Sequence, residues 1–143
     1  MILDKEEIKK LIPHREPILL IDSVIEMENE KYISTQFYVD ERMDIFKGHF
    51  PKEPVLPGVY TIENMAQSAD VLILSCERYR GKTPLFLGVN GVRFLKKICP
   101  GDIVETKVKF KEERKEKAIV TCSCEVFLKE ELAAIGEVTL AMR

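Results

Sequence analysis

The 143-residue sequence has no tryptophan, only two histidines and seven glycines, and no excess of either charge: 22 Lys+Arg stand against 24 Asp+Glu, a formal net charge of −2. Each shortage excludes something. Balanced charge argues against the broadly basic surface of a nucleic-acid-binding protein. The purest apolar runs, Ile18-Leu19-Leu20-Ile21 and Val71-Leu72-Ile73-Leu74, fall far short of the roughly 20 residues of a membrane-spanning helix. The N-terminus alternates charge from Asp4 onward and lacks the apolar core of a signal peptide, so a cytoplasmic location is expected. Cys76, Cys99, Cys122 and Cys124 form no C-x-x-C pair and have no histidine at metal-ligand spacing. They are expected to be reduced and to pack as small hydrophobes.

What remains is a folded composition, 45% hydrophobic and 32% charged, long enough for one domain over residues 1–143. Asp4 and Glu7 have the spacing of a capping box, which predicts a short helix from Lys5 to the stop at Pro13. Ile18 to Glu26 and Lys31 to Val39 read as two strands around an Asn29-Glu30 turn. The longest helical signal starts at Pro57 and runs toward Gly81, with Val59, Ile62, Met65, Ala66, Ala69, Leu72, Ile73 and Cys76 on one broad apolar arc. About four strands follow. Val104, Thr106, Val108 and Phe110 alternate with Glu105, Lys107, Lys109 and Lys111, as in a half-buried strand. Lys117 to Leu128 places Ala118, Val120, Cys122, Cys124 and Val126 on one face, and Lys129-Glu130-Glu131 is short enough to turn a hairpin into Leu132 to Met142. With no β-α-β alternation, the class is α+β with an antiparallel sheet. A sheet curled around one long helix accounts for the wide apolar arc.

The chemistry concentrates between Phe46 and Gln67. Pro51, Pro54 and Pro57 recur every third residue, which predicts a stiff, extended loop. His49 lies between Phe46 and Phe50, an apolar setting that keeps an imidazole neutral and able to accept a proton. Pro57 at the first helical position leaves the Gly58 amide among the unpaired donors of a helix start, able to face a carbonyl oxygen with no side chain in the way. Glu63 lies about 9 Å further along the axis and shares a helix face with Gln67 and Asp70. A solvated polar stripe is the plain explanation of that face; a carboxyl kept from water, holding a proton to donate, is the chemical one. Base, electrophile and acid together suit removal of a proton next to a carbonyl.

Gly48-His49-Phe50-Pro51, Pro54-Val55-Leu56-Pro57-Gly58-Val59 and Glu63-Asn64-Met65-Ala66-Gln67 closely resemble the signature of the FabZ-type 3-hydroxyacyl-acyl carrier protein dehydratases, with its spacing kept. Leu11-Ile12-Pro13-His14-Arg15-Glu16-Pro17, Phe94 and Pro100-Gly101-Asp102 extend the resemblance along the chain. Asn64 departs from it, standing where the family usually has alanine. The resemblance implies a hotdog fold, a homodimer with its active sites at the subunit interface, and commonly a trimer of dimers. It further implies that His49 takes the C2 proton of a (3R)-hydroxyacyl thioester, that Gly58, with Val59 beside it, binds the thioester carbonyl, and that Glu63 of the partner chain protonates the departing hydroxyl. No metal or other cofactor is implied, since the thioester already acidifies the C2 proton.

The implied partner is acyl carrier protein, and Arg93, Lys96 and Lys97 form a basic cluster suited to its acidic surface. Neither nucleic acid nor membrane is an expected partner. The alternatives are a hotdog thioesterase and a dehydratase of a specialised, polyketide-like pathway. Tyr60, Phe86 and Met65 are candidates for lining the acyl tunnel, and His14 is expected to pack or hydrogen-bond within the N-terminal segment.

Overall fold

The computed structural model describes residues 1–143. Helix α1 (Lys5–Lys9) starts on the expected capping box: the Glu7 amide donates to Asp4 and the Asp4 amide donates back to Glu7. Its buried residue, Ile8, docks the helix on the core. Strands β1 (Ser23–Glu28) and β2 (Tyr32–Tyr38) follow as an antiparallel pair, the chain turning at Glu30 with φ of 63°.

The first strand therefore begins five residues later than its apolar pattern predicts. Ile18 instead ends a turn, its amide and that of Leu19 donating to the Arg15 carbonyl, and the next groups answer to side chains and not to a neighbouring strand. The Leu20 amide donates to Gln67 Oε1 (2.8 Å), Gln67 Nε2 donates to the Ile18 carbonyl (2.7 Å), and Asn64 Nδ2 donates to the Leu20 carbonyl (2.8 Å). Two amide side chains thus meet the backbone demand that a strand partner would otherwise meet.

Helix α2 (Gly58–Leu74) is the centre of the fold. Pro57 is its cap and Gly58 its first residue, one position later than expected. It also ends well before Gly81. Ser75 Oγ donates to the Val71 carbonyl (2.6 Å), Cys76 is extended, and Glu77–Tyr79 form a short 3-10 turn. Arg78 and Tyr79 in that turn bind the Glu113 carboxylate at 2.8 and 2.5 Å, which draws the chain away from the helix axis.

Strands β3 (Pro84–Phe94), β4 (Ile103–Arg114), β5 (Ile119–Leu128) and β6 (Glu131–Met142) complete one antiparallel sheet, in the order β1-β2-β4-β5-β6-β3. α2 packs against β2 through β6. The predicted alternation holds where it was clearest: Val104, Thr106 and Val108 of β4, and Val120, Cys122, Cys124 and Val126 of β5, are buried. Ala118 instead occupies the turn before β5, with φ of 54°. Lys129 and Glu130 turn the last hairpin with positive φ at both, and Glu131 already pairs with Leu128.

Every residue of α2 from Asn64 to Leu74 is buried, so the helix is enclosed on all sides over that length and not along one arc. Val59, assigned to the arc, is 68% exposed because the first turn projects beyond the sheet's cover. Cys76, Cys122 and Cys124 are free and buried. Burial pushes the Cys122 and Cys124 thiols up, the latter to about 12, so both stay protonated. No helix is long and apolar enough to cross a membrane.

Candidate active site

The loop from Gly48 to Pro57 is closed, not extended. The Glu53 amide donates to the Phe50 carbonyl (3.2 Å) and the Val55 amide to the His49 carbonyl (3.1 Å). These bonds override the polyproline tendency of the three prolines. Leu56 then ties the loop to the chain after β3, its amide donating to the Ile98 carbonyl at 2.7 Å. His49 is fixed within this loop. Its Nδ1 lies 2.8 Å from the Val55 carbonyl oxygen, which can only accept, so Nδ1 donates and Nε2 takes no part in this bond. The Phe50 ring stacks on the imidazole at 4.1 Å between centroids, while Phe46 is buried beneath the loop.

A pocket of about 440 Å³ opens beside the helix start, and its lining includes His49, Leu56, Gly58, Thr61, Phe94 and Lys97. Base and helix N-terminus are therefore brought together, as expected. Gly58 and Val59 head α2, where the first amides have no acceptor within the helix. The reason for glycine at 58 is more specific than carbonyl access. A Cβ there would lie 2.7 Å from Phe94 Cζ, so the ring closes over a position that only glycine leaves open. Phe94, noticed in the sequence only as part of a later motif, and Thr61, not noticed at all, both belong to this pocket.

Glu63 does not share it. At about 100° per residue, Glu63 lies roughly 200° around the helix from Thr61, and it faces the N-terminal segment instead. Gln67 Nε2 donates to Glu63 Oε2 (2.8 Å), and His14 Nε2 lies 3.8 Å from the same oxygen. The Glu63 side chain retains 27% of its surface, whereas Gln67 is fully buried and Asp70 is 3% exposed. The plain reading of Glu63, Gln67 and Asp70 as a solvated stripe therefore fails. Gln67 is the residue that sequence reasoning undervalued, since one amide both tethers Ile18 and Leu20 and positions Glu63. Its signal was a glutamine one turn beyond a glutamate, four residues away on an otherwise apolar helix. Asn64 points elsewhere, bonding Leu20 and accepting from Thr106 Oγ1 at 2.5 Å.

Arg93, Lys96 and Lys97 are exposed at the end of β3 and just after it. Lys96 pairs with Glu131, and Lys97 with Glu53 at 3.1 Å, while Arg93 has no carboxylate partner. The cluster is thus partly neutralised within the chain. Of the tunnel candidates, Met65 is fully buried, Tyr60 packs partly buried against the core, and Phe86 is exposed on β3.

An antiparallel sheet curled around one long helix, with a histidine and that helix's N-terminus lining one pocket, defines an α+β hotdog domain. The FabA-like domain model matches residues 12–137, and the chain belongs to that family. It is 52% identical to a 3-hydroxyacyl-acyl-carrier-protein dehydratase FabZ of Clostridium beijerinckii over 103 residues, 71% of this chain and 72% of the relative. It is 46% identical to the FabZ of Clostridium botulinum over 106 residues, 74% of each. Among solved structures, a chain of the dehydratase heterocomplex ApeI:P from Xenorhabdus doucetiae superposes with a TM-score of 0.79 at 17% identity, covering 95% of this chain and 90% of that one. That likeness supports the hotdog fold.

Proposed function

We propose that this protein dehydrates (3R)-hydroxyacyl-acyl carrier protein to the trans-2-enoyl thioester in fatty-acid elongation. The observation that carries the mechanism is the His49 Nδ1–H bond to the Val55 carbonyl, which fixes the ring and leaves Nε2 as the nitrogen to act as base. Nε2 takes the C2 proton while the Gly58 amide, with Val59 beside it, draws charge onto the thioester oxygen. Electrons from the C2–H bond form the C2=C3 double bond. The C3–O bond breaks, and Glu63 supplies the proton with which hydroxide leaves as water.

This assignment needs two chains per site. Glu63 points away from the pocket that holds its own His49, and β3 leaves the sheet with an unpaired edge. Leu85, Phe86, Leu87, Val89 and Phe94 are exposed along it, Leu87 by 54% and Phe94 by 53%. A long apolar edge strand is an open template for another strand. In the proposed homodimer, β3 pairs with its copy, covers those side chains and brings Glu63 of one chain to His49 of the other. Three such dimers associate into the full assembly, and the protein works in the cytoplasm. Arg93 provides the first attraction for the acidic carrier protein, with Lys96 and Lys97 adding to it.

The deciding experiment supplies a 3-hydroxyacyl thioester of acyl carrier protein. Enoyl absorbance without free thiol is expected; free thiol without enoyl absorbance would make the protein a thioesterase.

A further inference from the structure

Behind Glu63, the structure holds a second carboxyl for which the mechanism above has no use. Asp70, two turns further along α2, is 3% exposed, and its Oδ1 is buried with no hydrogen-bond partner. Between the two carboxyls stands His14 from the N-terminal segment. Its Nε2 lies 3.8 Å from Glu63 Oε2 and 3.8 Å from Asp70 Oδ2, and its Nδ1 is likewise buried without a partner. The imidazole is just outside hydrogen-bond reach of both carboxyls, so a small turn of the ring either way makes one bond or the other.

An ionised carboxylate with an unsatisfied buried oxygen is costly, and a second carboxylate facing the same ring adds to that cost. Protonation of Asp70 removes the buried charge and its repulsion from Glu63. Burial, with the facing Glu63 charge second, holds the Asp70 carboxyl well above the ordinary carboxylate range. Burial also pushes the His14 imidazole down, more than the facing Glu63 charge restores, and Arg15 next to it acts in the same direction as burial. From β5 the group facing Asp70 is Cys122, whose thiol is neutral.

We propose that Glu63, His14 and Asp70 share one proton, so that the acid serving the reaction is this cluster and not Glu63 alone. That proton rests on Asp70 Oδ2 and passes to His14 Nε2 and on to Glu63 Oε2, from which it goes to the departing hydroxyl. Both carboxyls are left ionised until solvent returns a proton to the cluster, while His49 releases the proton taken from C2. His14 and Asp70 touch no substrate; they are positioning residues that act through Glu63. This rests on the dehydratase assignment, which supplies the need for a proton at Glu63.

The test is the pH profile of kcat for dehydration of a 3-hydroxyacyl-acyl carrier protein thioester. Asp70→Asn keeps the shape but removes one carboxyl. With the facing negative charge gone, the cluster's last proton leaves at lower pH, so the alkaline limb moves down by about one unit, the lower range for neighbouring like charges. His14→Gln, at a less buried position, breaks the bridge and moves the limb the same way; it keeps the test alive should Asp70→Asn fail to fold. Infrared spectra give a readout independent of turnover: the wild type retains a protonated-carboxyl band at neutral pH that Asp70→Asn loses. Alkaline limbs unmoved in the folded variants, or no such band, would overturn the shared proton. A wild type that makes no enoyl product would instead overturn the dehydratase assignment, and the infrared band would still report on Asp70.

Discussion

The two parts of helix α2 obey different rules. From Asn64 to Leu74 the chain is enclosed by its own sheet, and even its polar side chains are buried there. From Gly58 to Glu63 the same helix projects, with Val59 bare and Gly58 and Glu63 facing different surroundings. The enclosed part holds the fold together. The projecting part has free amides and a carboxyl but no complete site, because a helix cannot turn residues 61 and 63 toward the same pocket. Stability lies where one chain is sufficient, and in the proposed homodimer chemistry lies where a second chain is needed.

That division can be broken by experiment. The largest effect is expected at the chemical groups: His49→Ala and Glu63→Gln should each lower kcat at least about a hundredfold while leaving the melting temperature nearly unchanged. Mixing the two inactive variants under conditions of chain exchange should restore part of the activity through heterodimers with one intact site. No recovery after proven exchange would place both groups in a single-chain site. In the enclosed part, Leu72→Ala should cost about 2–5 kcal/mol in denaturant unfolding, with turnover per folded molecule retained. Gly58→Ala crosses the boundary. Its Cβ must displace the Phe94 ring, so about 1–3 kcal/mol of strain should accompany a fall in kcat. The smallest effect is expected at Arg93→Glu, a severalfold rise in KM for acyl carrier protein that fades with added salt.

How much of this was legible in the sequence follows the same division. β4 and β5 could be read from alternation because each has one wet and one dry face. β3 has exposed apolar side chains along its length, so neither period two nor a continuous buried run described it. The stretch at Ile18 looked like strand because it is apolar, yet it leaves a turn and bonds Gln67 and Asn64, more than forty residues away. The nearness of His49 to Gly58 at the helix start was legible from their spacing. What spacing could not convey was direction: that Nδ1 of His49 is bonded to Val55, that Glu63 faces away from the pocket, and that His14 stands between Glu63 and Asp70.

Gln67 carries a further consequence. One side chain holds the Leu20 amide, the Ile18 carbonyl and the Glu63 carboxylate at once, so it works as a mechanical linkage between the N-terminal segment and Glu63, the acid of the proposed mechanism. Local detachment of a terminal segment demands far less free energy than global unfolding. Gentle heating should therefore uncouple the acid and silence turnover while the sheet is still intact, making catalysis a more sensitive thermometer of the first twenty residues than any spectroscopic signal from the sheet.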